Sequence, residues 1–402
     1  MRYSFRLAEL VGHMPDPRKR PGTIKEIVEH TGLDRHQVAA LLKNEVKYIP
    51  LKALSRLCDY LVERGYVQAD QLPGALFSVE PENFWELLAR RRRLELCVGV
   101  RRADPGDWPE GAWVVASDSV LLGELLNGVS TLGGTRHHRI ATPDGLGSRG
   151  PSTAPHPEHL KQTLVWSPGQ GTREEVIERA KEVYDDFSKS GSDKALVAMG
   201  SIKSNPVVEL MFAEAFGCEP FKSQDDVATP KKRLCPFFLR FRDHDPHPDS
   251  CSGGLRLAKS TASEEPGLYY ETAKGEWAHC SWDAPEHDAA LVFYVHRESQ
   301  GRLEMALSGF SGRATRQLAK TLAARAEDFW PPVYEGHGMQ IGAFIVQYTF
   351  PPQTEPQTDD LLRTDIVANT KIIPIDGKVI ERRMEQSIVA AAEAKAPVVP
   401  SA

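Results

Sequence analysis

A chain of 402 residues, 41% apolar and 26% charged, has an ordinary soluble globular balance and material for two or three domains. No apolar run approaches the roughly 18–20 residues that a membrane span needs, which excludes a membrane protein of that kind. The net charge of −6 is uneven, +4 over residues 1–105 and −10 over the remainder, as a nucleic-acid-binding head on an acidic body would have it. The six cysteines (58, 97, 218, 235, 251 and 280) form no C-x-x-C pair, and the first twenty residues lack a signal-peptide core, so the expectation is a reduced, cytoplasmic protein.

The first predicted elements lie in TIKEIVEHTGLDRHQVAALLKNE, residues 23–45. Ile24, Ile27 and Val28 make one apolar stripe, which predicts a helix ending at Gly32. Asp34 is placed to cap a second helix whose stripe is Val38, Leu41 and Leu42. After Pro50 a third helix follows, with Leu51, Leu54, Leu57, Cys58 and Leu61 on one face. Two short helices joined through a glycine turn and locked by a third make a helix-turn-helix.

Over about residues 22–65 this segment resembles the Xre/Cro-C1 type helix-turn-helix family, through Gly32, Leu33, Val38, Leu41 and the run PLKALSRLCDYL. Val28 departs mildly, standing where the family more often has a smaller residue. The resemblance implies that residues 34–44 are a recognition helix in the major groove of operator DNA. Its outward residues would be Arg35, His36, Gln37, Ala40, Lys43 and Asn44. Arg35 suits guanine and Gln37 adenine, while Lys43, Lys47, Arg18, Lys19 and Arg20 suit phosphates. The same three-helix packing also serves protein-interaction modules.

Residues 82–95, PENFWELLARRRRL, predict a further helix with Phe84, Leu87 and Leu88 inward. Its arginine run either offsets the helix dipole or meets a DNA backbone or a second subunit. The DNA-binding domain is expected to span residues 1–105.

From residue 106 a second pattern begins. WVVA (113–116), TLVW (163–166), ALVAM (195–199) and LEMAL (303–307) each run into a turn of Gly and Ser and then into a helix-period stretch. Two further apolar runs, 291–295 and 342–350, read as strands without such a helix. The expectation is a Rossmann-like α/β body over 106–375 with a mostly parallel sheet, followed by a C-terminal helix and frayed tail over 376–402. Residues 134–160, rich in Gly, Pro, Ser and His, read as a mobile loop.

Parallel connections are right-handed, so the four turns should share the carboxyl edge of the sheet, where open α/β sheets bind ligands. The candidate ligand-binding residues are Ser117, Asp118 and Ser119; Ser167, Gly169, Gly171 and Thr172; Gly200, Ser201, Lys203, Ser204 and Asn205; and Ser308, Gly309, Ser311, Gly312, Arg313 and Thr315. Helix N-termini favour an anion there. Against this, TREE (172–175) is an ordinary capping box, and no turn spells a P-loop or G-x-G-x-x-G.

Cys235, His244, His247 and Cys251 carry zinc-ligand chemistry, but without a close cysteine pair no metal is expected. Asp118 and Glu209 are the catalytic runners-up, with His137, His138 and His296 as further acid–base candidates. The composite reading is a homodimeric, cytoplasmic transcriptional regulator binding double-stranded operator DNA. Its body would sense a small anionic ligand, a nucleotide or sugar phosphate being the candidate effector, with no cofactor required. A nucleotide- or sugar-processing enzyme with a DNA-binding head, and a protein-interaction or phage-defence component, are the alternatives.

Overall fold

The computed structural model describes residues 3–11, 22–43, 45–46, 48–72, 76–79, 81–102, 111–132, 159–189, 193–222, 233–246, 248–250, 253–255, 265–283, 286–297, 301–336, 339–350 and 367–393. The head consists of β1 (Tyr3–Phe5), α1 (Leu7–Leu10), α2 (Gly22–Thr31), α3 (Arg35–Leu42), α4 (Leu51–Glu63) and β2 (Phe77–Val79). β1 and β2 pair antiparallel and close the head. Ile27, Val38, Leu41, Leu57 and Leu61 bury one stripe from each of the three main helices in a core of their own. Leu51 departs from its expected place in that stripe, being 80% exposed.

The body runs through α5 (Phe84–Ala89), β3 (Arg93–Arg102), β4 (Ala112–Val114), α6 (Ala116–Thr131), β5 (His159–Trp166), α7 (Arg173–Lys189), β6 (Lys194–Met199) and α8 (Val207–Phe216). Four short strands follow: β7 (Phe237–Arg240), β8 (Gly254–Leu255), β9 (Gly267–Glu271) and β10 (Trp277–Ser281). β11 (His287–Arg297), β12 (Arg302–Gly309), α9 (Gly312–Arg325), β13 (Tyr334–Gly336), β14 (Met339–Thr349), β15 (Lys371–Pro374) and α10 (Gly377–Glu393) complete it.

Among the described residues nine strands form the main sheet, in the order β13-β14-β11-β12-β6-β3-β4, with β15 beside β14 and β5 beside β3. Among the described strands of this sheet only β5, β3, β6 and β12 run parallel to one another. The remaining pairings are antiparallel, which corrects the expected Rossmann-like, mostly parallel sheet to a mixed one. The connections supply the reason. Only residues 298–301 separate β11 from β12, too few for a crossover helix, so the pair must be antiparallel. The run 291–295 without a following helix was the visible sign of this.

A second correction moves the start of the body. Residues 82–95 are not one helix: α5 ends at Ala89, and the arginine run leads straight into β3, an interior strand of the main sheet. Arg90 pairs with Glu86, Arg91 donates to the Leu87 carbonyl, and Arg93 pairs with Glu95, so these arginines are spent within the body. A domain ending at residue 105 would cut through the body's sheet.

Helices cover both faces of the sheet. α5, α6 and α9 seal one face with Phe84, Leu87, Leu121, Leu125, Leu318 and Leu322. α7, α8 and α10, with Phe237 and Leu239 of the small β10-β9-β7-β8 sheet, seal the other. α8 is sandwiched there, and Phe212 meets Phe237 and Phe293 edge-on at centroid distances of 4.9 and 5.2 Å. The expected loop over 134–160 falls on residues outside the described ones, except that His159 and Leu160 already belong to β5. α10 matches the expected C-terminal helix, and the tail beyond residue 393 lies outside the described residues. Among the described residues no helix is long and apolar enough to cross a membrane.

Candidate nucleic-acid interface and carboxyl-edge site

In the head, Gly32 takes φ +69, the left-handed conformation that ends α2. A Cβ there would stand 2.9 Å from Arg56 Nη1, the group that donates to the Thr31 carbonyl and ties α4 to the turn. Asp34 caps α3: its Oδ1 accepts the Gln37 N–H at 2.9 Å, and Gln37 Oε1 accepts the Asp34 N–H at 3.3 Å. This capping box orders the helix start, the end that helix-turn-helix proteins place against base edges in a major groove. Replacing Asp34 by alanine is expected to cost about 1 kcal/mol of head stability, measured by urea denaturation of the full chain.

Of the expected DNA contacts, Arg35, His36 and Lys43 are exposed, and Gln37 and Ala40 are half-buried. Asn44, Lys47, Arg18, Lys19 and Arg20 lie outside the described residues. Gln37 also serves the cap with the same oxygen that adenine reading would use. Arg35, at the first position of α3, has no such commitment among the described residues.

In the body the four small-residue turns do meet. Ser167 donates to the Ser204 carbonyl at 2.7 Å, and Ser308 donates to the Gly200 carbonyl at 2.8 Å. A Cβ on Gly312 would lie 3.3 Å from Ser117 Oγ, and one on Gly200 would lie 3.5 Å from Asp118 Oδ2. The topology explains the meeting. From β3 the chain passes to α6 on one face, and from the neighbouring β6 it passes to α8 on the other, which opens a crevice between the two strand ends. Gly99 makes the approach possible, since a Cβ there would come 1.9 Å from the Ser204 carbonyl oxygen. A glycine inside the apolar run LELCVGV is the kind of signal that marks such a backbone approach, and the sequence reading passed over it.

Within the crevice the roles separate. Asn205 is wholly buried, donates to the carbonyls of Cys97 and Met199 at 3.0 and 3.1 Å, and accepts the Val207 N–H at 3.1 Å. It fastens the GSIKSNP turn to β3 and starts α8, so it offers nothing to a ligand. Lys203 points inward, 3.1 Å from Asp245 and 3.8 Å from the centre of the Phe310 ring. Burial lowers its ammonium to about 8, opposed by the Asp245 charge. Burial would raise Asp245, but Arg242, which grips it with two nitrogens, and Lys203 hold it at about 2. The pair is therefore charged at neutral pH and internally satisfied, which corrects the expected role of Lys203 as a charge offered to the rim.

Other candidates prove to be braces. Thr172 and Glu175 form the expected capping box, at 2.9 and 3.2 Å. Ser311 caps α9 and also donates to Asp288, while Thr315 Oγ1 donates back to the Ser311 carbonyl. Arg313 stacks 3.3 Å from the centre of the Phe350 ring. Gly309 leaves space that Thr315 occupies, and Ser201 accepts the N–H groups of Ser204 and Asn205 at its carbonyl. Ser119 faces solvent.

Asp118 is different. It lies inside the first turn of α6, which Val115 begins without a side-chain cap. The side chain is 3% exposed; Ser117 donates to Oδ1 at 3.2 Å, and Oδ2 has no hydrogen-bond partner among the described residues. Burial pushes its carboxyl up to about 6, against the pull of Ser117 and of the Arg101 charge.

A cavity of about 270 Å³ opens on the far side of the GSIKSNP turn, between the starts of α7 and α8. Pro168, Gly169, Gly171, Ile177, Ile202, Pro206 and Phe221 make an apolar wall. At its mouth Arg173 is tied to Asp249 and donates to the Phe221 carbonyl at 3.2 Å. Glu209, the second catalytic candidate, is buried and accepts from Ser250 Oγ at 2.6 Å and the Gly253 N–H at 3.1 Å, so it anchors the facing loop.

His296 is buried within β11 against Gln340, and burial beside Arg91 lowers it to about 3, which removes it as an acid or base near neutrality. His137, His138, His247 and Cys251 lie outside the described residues. Among the described residues no three His, Cys, Asp or Glu side chains are grouped to hold a metal. The Cys235 thiol is buried and raised by desolvation.

The exposed α3 behind a glycine turn, its capping box and the locking α4 define a helix-turn-helix head. Residues 18–63 match the family model described as Cro/C1-type HTH DNA-binding domain. The chain thus carries a DNA-binding domain of that type, as the sequence resemblance implied. No curated protein matches the chain, and no solved structure does.

Proposed function

We propose that the chain is a sequence-specific transcriptional regulator that binds operator DNA as a homodimer and whose body senses a small anionic ligand at the carboxyl edge of its sheet. The observation that carries this reading is the solvent-facing α3, with Arg35, His36 and Lys43 exposed on a helix that falls wholly within the family match. Arg35 at the helix start is the base-reading residue; Lys43, at the C-cap, holds a phosphate. Two heads related by a two-fold axis would read two half-sites about one helical turn apart.

For the body, support comes from four strand-end turns that converge beside an apolar cavity, the arrangement in which open sheets bind small molecules. Selection from a random duplex pool, followed by mobility shift in increasing salt, tests the DNA reading. A palindromic site and affinity falling steeply with salt are expected; binding without sequence preference would contradict it. Lys43→Ala should weaken all sequences alike and flatten the salt slope by about one unit.

A further inference from the structure

Building on the ligand-sensing reading, we propose that Asp118 is the acceptor for a sugar hydroxyl of a phosphorylated sugar or ribonucleotide held between α6, α9 and the GSIKSNP turn. The carboxylate is 3% exposed, yet Oδ2 has no donor among the described residues. Buried polar atoms are almost always partnered, so an acceptor with no donor among the described residues, at the start of α6, is open to a donor from a ligand. Oδ2 faces Gly200, whose missing side chain, with Ser117 and Gly312 alongside, keeps this corner small-walled.

The surrounding field selects the donor. The 16-residue α6 and the 14-residue α9 both begin here, and Arg101 acts on Asp118 from the end of β3. Positive helix ends and a guanidinium disfavour an ammonium or a divalent cation, and no three-ligand cluster supports a metal. A neutral hydroxyl meets no such opposition, and an anionic phosphate on the same molecule gains from the helix ends. Lys203 and Asn205, nearby, have their partners already and compete for neither group.

The test is calorimetric titration of the full chain with ribose 5-phosphate, inorganic phosphate and L-lysine, for the wild type and Asp118→Asn. Ribose 5-phosphate should bind the wild type and bind Asp118→Asn at least tenfold more weakly, because a hydrogen bond to a charged acceptor is lost. Inorganic phosphate should bind the wild type more weakly than ribose 5-phosphate does, and should bind Asp118→Asn no more weakly than the wild type, because a like charge is removed beside it. A thermal melt confirms that the variant is folded. Equal ribose 5-phosphate affinities in the two chains overturn the proposal, as does absence of ribose 5-phosphate binding to the wild type. Preferential L-lysine binding that depends on Asp118 also overturns it, replacing the hydroxyl by an ammonium. The sensing reading fails by a different sign: a bound ligand that leaves operator affinity unchanged.

Discussion

Arg35→Ala should weaken operator binding by about 1–3 kcal/mol, roughly 5- to 150-fold, for each half-site, and broaden the base preference at one position of each. The residue is exposed at the first position of α3, one place after the capping Asp34, the end that the proposed reading places in a major groove. On the proposed reading its guanidinium would pair bidentately with guanine, which alanine cannot imitate. The loss should persist at every salt concentration where binding is measurable, since base reading releases few counterions. Lys43→Ala serves as the contrast, changing the salt slope and leaving preference intact. Gln37→Ala should have a mixed effect, because the same side chain closes the capping box. An Arg35→Ala protein with unchanged sequence preference would overturn the placement of α3 in the groove.

Asp118→Asn should raise the stability of the ligand-free protein by about 1–3 kcal/mol at pH 8. The carboxyl moves from an ordinary value of 3.8 to about 6 on folding, chiefly through desolvation. Each pKa unit is about 1.4 kcal/mol, so holding the charged form inside the fold costs on the order of 3 kcal/mol. The new amide's own buried N–H groups take back part of the gain. The sign follows from which state binds the proton more tightly. Below the unfolded value of 3.8 the carboxyl is neutral in both states and costs nothing. As pH rises through about 6 the folded state must ionise it, and stability is lost. The pH-dependent part of the Asp118→Asn advantage should therefore be full at pH 8, about half as large at pH 5, and gone near pH 3, where only the amide's own cost is left. Guanidinium unfolding of both chains at these three values measures it. Other carboxylates titrate alike in the two chains and cancel in the difference. A variant less stable than the wild type at pH 8 would show that Oδ2 is structurally bonded after all. A residue that destabilises its own fold is what a binding site, rather than a brace, is expected to contain.

Much of the molecule was legible in the residues. The head could be read because its signals are local: Gly32 ends α2, Asp34 caps α3, and Val38, Leu41 and Leu57 recur at helical spacing within about forty residues. The strands and helices of the body were also mostly visible, and so was each of the four turns, but not that they meet. The small sheet β7 to β10 was not, because its strands are two to five residues long and interrupted by loops. The arginines after Ala89 read as a helix end, yet the next four apolar residues, at positions 94, 96, 97 and 98, belong to an interior strand. Strand and helix patterns overlap in so short a run, and burial against β5 and β6 decides between them.

By itself, then, the sequence determined the DNA-binding head, the alternation of strands with helices, and the small-residue turns at the ends of four strands. Each of these depends on contacts between near neighbours along the chain. The tertiary structure alone decided the place of β14 beside β11, the burial of Lys203 against Asp245, and the fit of the GSIKSNP turn over Gly99. It also separated Asp118, left with an unpartnered oxygen, from Asn205, whose amide is fully bonded. Those outcomes rest on partners from 42 residues (Lys203 and Asp245) to 108 residues (Cys97 and Asn205) away, and no local pattern encodes which distant group a buried polar side chain will meet.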